Sequence, residues 1–181
     1  MKYENRTKLR DGRELVLRSC TPDDAEALLK VFIQTLGETD NLLIYPDECE
    51  YTTESEAQFL KGKQDSEREC EILAFLDGRL VGTAGITAVG TQIKRRHRAS
   101  FGVCILKEFW GLGIGEQLVR ACIDSARKAG YIQLELDVVA DNARALALYK
   151  KLGFEEYGRN PKGFLLRTGE YKELVYMKKE L

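Results

Sequence analysis

The stretch FWGLGIG, residues 109–115, sets Gly111, Gly113 and Gly115 at alternate positions, directly after an apolar run and directly before a helical pattern. A strand that enters a helix through glycines exposes backbone N–H groups at the helix N-terminus, where the helix dipole adds partial positive charge. That combination attracts phosphate. A nucleoside-triphosphate loop needs G-x-x-x-x-G-K-[ST], but Glu116 and Gln117 follow Gly115, so the lysine and the magnesium-holding hydroxyl are missing. A dinucleotide turn needs G-x-G-x-x-G, whereas the rhythm here is G-x-G-x-G. Neither fits.

A second stretch, DNARALALYKKLGF at 141–154, places Tyr149 seven residues after Asn142. Seven residues are two helical turns, roughly 10 Å along the axis, so the two side chains share a face. Together the stretches resemble the N-acetyltransferase superfamily abbreviated GNAT. Gly113 and Gly115 stand at the small positions of its cofactor loop, [Q/R]-x-x-G-x-[G/A]. Asn142, Ala145, Tyr149, Gly153 and Phe154 match its downstream motif, N-x-x-[AS]-x-x-[FY]-[YF]-x-x-x-G-F. The two motifs occur in the family's order, about 30 residues apart, and the likeness extends from about Leu15 to the end. Trp110 departs from it, standing where the family usually has arginine or glutamine. Its indole either gives weaker polar support there or packs on an apolar neighbour.

The resemblance implies acetyl transfer from acetyl-CoA to an amine by direct attack. The cofactor pyrophosphate would meet the backbone of Trp110, Gly111, Leu112, Gly113, Ile114, Gly115 and Glu116, and the pantetheine arm would lie along Val103, Cys104 and Ile105 as an added strand does. The thioester would sit where this strand splays from the next, with amides near Cys104 and Ile105 polarising its carbonyl. Tyr149 is the expected catalytic residue. A tyrosine hydroxyl of reference pKa about 10 can donate to a departing thiolate of about 8.5. Asn142 is expected either on the pantetheine arm or as a second helix cap beside Asp141.

The acceptor must lose a proton before attack, which for an ammonium of pKa about 10.4 costs roughly 4.6 kcal/mol at pH 7. His97, the only histidine, suits that task in type but sits in the basic run KRRHR; Glu71, Glu135 and Asp137 are alternatives. The run Lys94–Arg98 is either a guide for acidic groups or a solvated turn. Cys104 beside the thioester invites a covalent route, against the family's direct transfer. Acceptor choice falls to the loop from Glu38 to Tyr51, whose Glu38, Asp40, Asp47, Glu48 and Glu50 tilt it toward a cationic amine, and to the closing hairpin. The expected partner is a small-molecule or peptide amine, and a homodimer is left open. The rival functions are a CoA-binding regulatory protein without turnover, and an interaction module using the fold alone.

The elements that must position these residues follow from periodicity. Asp11-Gly12 signals a hairpin, so the chain opens with strands including Glu14–Arg18. Thr21-Pro22 starts a helix ending near Gly37, and a polar helix runs from Thr53 to about Gln64. Strands 71–76, 79–89 and 99–106 form an antiparallel meander. A helix runs from about Gly113 to Ala129, a strand from Ile132 to Val139, and a short helix capped by Asp141 to Gly153. Strands Phe154–Gly158 and Glu173–Lys178 are joined by the turn-rich RNPKGFLLRTG. This order implies one α/β domain over 1–181. The resemblance specifies a mostly antiparallel sheet with a splayed parallel pair, flanked by helices.

Composition agrees. With 181 residues and 44% hydrophobic content the chain can bury one sizeable core. A net charge of −1, from 28 basic and 29 acidic residues, argues against a nucleic-acid binder. No run suits a membrane span, and the charged start is no signal peptide, so a cytoplasmic location is expected. The five cysteines are scattered without a C-x-x-C pair, so reduced thiols and no metal are expected.

Overall fold

The computed structural model describes residues 2–181. Two strands, β1 (Glu4–Lys8) and β2 (Glu14–Ser19), precede two helices, α1 (Ala25–Glu38) and α2 (Thr53–Asp65). The meander follows as β3 (Cys70–Leu76), β4 (Arg79–Ala88) and β5 (Arg98–Ile105). Then come α3 (Ile114–Lys128), β6 (Gln133–Val139), α4 (Ala143–Lys151), β7 (Glu155–Leu165) and β8 (Tyr171–Glu180). The eight strands form one sheet in the order β1-β2-β3-β4-β5-β6-β8-β7. All neighbours are antiparallel except β5 and β6.

Strand alternation divides the core into two layers. Ile72, Ala74, Ala84, Ile86, Ala99 and Phe101 turn one face of the sheet to α3, whose Leu118, Val119, Cys122, Ile123 and Ala126 are buried there. The opposite face carries Leu73, Leu80 and Leu106 against Leu28, Val31 and Leu60 of α1 and α2. Both helix layers obey the 3.6-residue period, and the strands that carry them obey the period of two.

The parallel pair is short, and that shapes the site. Ladder contacts between β5 and β6 run only from Arg98 to Ser100 against Gln133 to Glu135. Beyond Ser100 the strands part, which gives the splay that the resemblance implied.

The hairpin that Asp11-Gly12 signals is present: β1, the charged ENRTK, pairs along its length with β2 as an edge strand. The join between the last two strands differs from its expectation. The stretch RNPKGFLLRTG is mostly strand, since β7 runs on to Leu165 and only Leu166–Glu170 turns, with the Leu166 N–H donating to the Glu170 carbonyl at 2.8 Å. Pro161 is tolerated because β7 is the outer strand of the sheet, and register shifts at Glu156/Gly158 and Asn160/Phe164 absorb the irregularity. The loop after α1 holds one short 3-10 turn, Pro46–Glu48.

Candidate active site

A cavity of about 900 Å³ opens where β5 and β6 diverge. One arm reaches the glycine turn at the start of α3, and the other reaches Thr35, Thr39 and Asn41 at the end of α1 together with Phe164 of β7. Tyr149 and Asp137 line it as well.

The glycine turn is built as its spacing suggests. Gly111 and Gly113 hold φ of 83° and 91°, the left-handed region that side chains disfavour, and Gly113 is the N-cap of α3. A Cβ on either would meet nothing within 4 Å, so the glycines leave open space above the backbone. The amides of the first turn of α3 have no intrahelical partner and face an anion without competition from a side chain. Glu116 turns its carboxylate away, to Lys151 at 2.6 Å and Arg120 at 2.8 Å. Those two cations hold its carboxyl below the usual range and cancel a charge that would oppose a phosphate.

Strand alternation decides which β5 amides reach the gap. The Leu106 N–H donates to the Val81 carbonyl, and the Cys104 carbonyl lies against Gly82, so Cys104 and Leu106 direct their backbone at β4. Val103 and Ile105, one residue out of phase, turn theirs into the splay. Of the expected pair Cys104 and Ile105, therefore, only Ile105 offers its amide to a ligand strand, while Cys104 presents its side chain to the cavity wall. Burial pushes the Cys104 thiol up to about 12, which removes the thiolate that a covalent route needs.

Trp110 lines the cavity beside the glycine turn. Its indole N–H donates to the Ile105 carbonyl at 2.7 Å, which ties the loop to the end of β5, and the Arg144 guanidinium stands 5.0 Å from the ring centroid. Asn142, not Asp141, caps α4: its Oδ1 accepts the Ala145 N–H at 3.2 Å, whereas Asp141 pairs with Lys172 at 2.9 Å. The cap requires the non-helical backbone that Asn142 adopts, φ −79° and ψ 65°. Asn142 also lines the cavity, so capping and ligand contact are compatible.

Tyr149 sits in an aromatic cluster, edge-on to Phe101 at 5.7 Å and to Phe154 at 5.9 Å. Burial raises its hydroxyl above the ordinary tyrosine value, so it holds its proton at neutral pH. Among the described residues that hydroxyl has no hydrogen-bond partner.

The four proton acceptors named from sequence separate. His97 is exposed in the turn before β5 and is not among the cavity residues. Glu135 is gripped by Arg98 and Gln133. Glu71 is buried against Thr83, and desolvation raises its carboxyl to about 7. Asp137, on β6, is the one of the four that lines the cavity.

Several acids of the acceptor loop are already engaged. The Glu38 carboxylate accepts the Lys107 N–H at 2.6 Å, Glu48 accepts the Tyr45 N–H at 2.8 Å, and Asp47 takes Arg167 of the β7–β8 turn on both oxygens at 2.8 Å. The Tyr45 hydroxyl accepts the Arg167 N–H, and the guanidinium lies 4.1 Å over the Tyr45 ring. The loop is thus latched to the closing hairpin, and its charge serves that latch more than it attracts a cation. Sequence reasoning missed Arg10, on the β1–β2 turn, and Arg144; both line the cavity. A signal existed for Arg144, a cation in the first turn of a helix against the dipole.

Comparison with known proteins agrees with this geometry. Residues 37–154 match the model of the acetyltransferase (GNAT) family. The chain is similar to the L-amino acid N-acetyltransferase AaaT of Escherichia coli (strain K12), 30% identical over 91% of this chain and 96% of that protein. It is 26% identical to an N-alpha-acetyltransferase of Sulfurisphaera tokodaii, over 80% of this chain and 83% of that one. A crystal structure of a GNAT-family acetyltransferase from Streptococcus pneumoniae superposes with a TM-score of 0.89 at 30% identity, covering 92% of this chain and 99% of the other. The fold is also that of yncA from Salmonella typhimurium, solved with its cofactor acetyl-CoA, at a TM-score of 0.82 and 18% identity over 92% and 94% of the chains.

Proposed function

This chain belongs to the acetyltransferase (GNAT) family, as an acetyl-CoA-dependent N-acetyltransferase, and we propose that it acetylates the primary amine of a small molecule or peptide by direct attack. One observation carries the proposal: a single cavity joins the glycine turn, the splayed strands and the acceptor loop, with Tyr149 and Asp137 on its wall. Donor and acceptor can then meet in one space without a covalent enzyme stage, and the raised Cys104 thiol agrees.

Bound acetyl-CoA supplies the activated acetyl group. The first-turn amides of α3 hold its phosphates, and the outward backbone of Val103 and Ile105 pairs with its extended arm. Tyr149 keeps a proton on a hydroxyl with no competing partner, suited to donation toward a leaving sulfur. Asp137 is the carboxylate placed to take the proton of the incoming amine. The relative that acts on L-amino acids favours an α-amino group, of a free amino acid or of a peptide N-terminus, as the acceptor.

The test is acetyl transfer to a panel of amino acids, short peptides, polyamines and aminoglycosides, read as a mass gain of the acceptor. Acetylation of α-amino compounds supports the proposal. Silence across the panel with CoA bound would overturn it in favour of a regulatory protein.

A further inference from the structure

The anion-binding arm of the cavity contains a cation with nothing to neutralise it. Arg144 is the second residue of α4, so its charge adds to the positive end of that helix dipole, and no acidic residue occupies the first turn. Among the described residues no carboxylate pairs with it, although its neighbour Lys151 pairs with Glu116. A cation placed against a dipole without a counter-ion raises the energy of the empty site, and an anionic ligand removes that cost.

Its position is held from the side. The guanidinium lies 5.0 Å from the Trp110 ring centroid, within stacking distance, and the ring itself is anchored by the 2.7 Å bond from its N–H to the Ile105 carbonyl. Trp110, Gly111, Gly113 and Arg144 all line the one cavity, and the Arg144–Trp110 contact puts the cation beside the glycine turn. The first residues of both α3 and α4 line that cavity.

We infer that Arg144, stacked on Trp110, is the side-chain cation that binds the pyrophosphate of the cofactor, with Trp110 as its positioning residue. The inference rests on the acetyl-CoA reading of the cavity. The glycine turn supplies amides but no formal charge, and Glu116 beside it is negative. Arg144 therefore brings a formal positive charge toward a pyrophosphate diester that carries two negative ones. Arg144 is exposed, so the guanidinium can meet the ligand while it stays on the ring.

Calorimetric titration with CoA, dephospho-CoA and pantetheine tests this in the intact protein. Arg144→Ala should weaken CoA and dephospho-CoA alike by about tenfold or more, the loss of a charge-assisted contact, and leave pantetheine unchanged. Raising the salt concentration should shrink that factor. Trp110→Leu should weaken CoA in the unmodified background, yet add little to Arg144→Ala, because the two act as one unit. Trp110→Phe keeps a ring and should retain most of the affinity. Equal CoA affinity in Arg144→Ala would overturn the inference, as would an equal loss for pantetheine. A loss confined to CoA would move the contact to the 3′-phosphate and overturn the pyrophosphate assignment, while additive effects of Trp110→Leu and Arg144→Ala would remove Trp110 from the role. Failure of the unmodified protein to bind CoA would instead overturn the cofactor reading beneath it.

Discussion

Glu71→Gln should make the protein more stable at alkaline pH, by an amount that follows from its burial. Glu71 is 9% exposed on β3, and desolvation, the leading cause, lifts its carboxyl from 4.5 to about 7; the Thr83 hydrogen bond and Lys63 oppose the rise, and Glu56 adds to it. Thr83 Oγ1 lies near both Glu71 Oε1 and, at 3.0 Å, the Ile72 carbonyl. The single hydroxyl proton of Thr83 is shared between these two acceptors, so the donation to Glu71 only partly offsets the burial of the carboxyl. Below about pH 4.5 the group is protonated in folded and unfolded chains alike, and it imposes no penalty. Between 4.5 and 7 the unfolded chain ionises while the folded chain keeps its proton, and stability falls. Above 7 the folded chain must hold a buried carboxylate, and the loss is complete at roughly 3 kcal/mol. Glutamine is neutral throughout and its amide oxygen can still accept from Thr83. Urea denaturation of both proteins from pH 4 to 9 should show the variant gaining roughly 3 kcal/mol on the unmodified protein as pH rises, most of it before pH 7.5. His97 is exposed and common to both, so it cancels in the difference. A difference independent of pH would show that Glu71 is ionised in the folded state and that its proton assignment is wrong.

Other perturbations address the reaction. Tyr149→Phe removes a hydroxyl with no structural partner, so turnover should fall by about a hundredfold in steady-state kinetics while acetyl-CoA affinity holds; unchanged turnover would leave Tyr149 as packing only. Asp137→Asn should lower kcat by about a hundredfold, and a rate equal to the unmodified protein's would send the amine's proton elsewhere. Gly113→Glu forces a side chain into the left-handed region and a negative charge into the phosphate site, so CoA binding by calorimetry should be lost with the circular dichroism spectrum intact; retained affinity would displace the phosphates from this turn. Arg167→Ala opens the latch to Asp47 and Tyr45. Both partners of that ion pair are largely exposed and screened by solvent, so the urea midpoint should barely move, and the acceptor KM should rise while the acetyl-CoA KM does not. Equal KM values for the acceptor would detach the loop from acceptor binding.

Much of this protein is legible before any coordinates. The glycine rhythm of 111–115 signals a strand-to-helix turn because left-handed backbone is open to glycine and closed to most other residues. The apolar periods of 71–106 and 114–128 specify which faces must meet, since burial acts on every residue of a stripe at once. Those are local or near-local properties, carried by side-chain type and spacing. What spacing does not carry is who meets whom across the fold. The backbone phase of β5, which turns Ile105 but not Cys104 to the gap, depends on its pairing with β4. The sorting of Asp137 from Glu71, Glu135 and His97 depends on which strand face borders the cavity. The acids of the 38–51 loop look like a lure for cations until Arg167, some 120 positions away, is found holding Asp47. The stacking of Arg144 on Trp110 joins residues of two motifs that share no local period. Each of these contacts is long in sequence and short in space, and only the packed chain determines them.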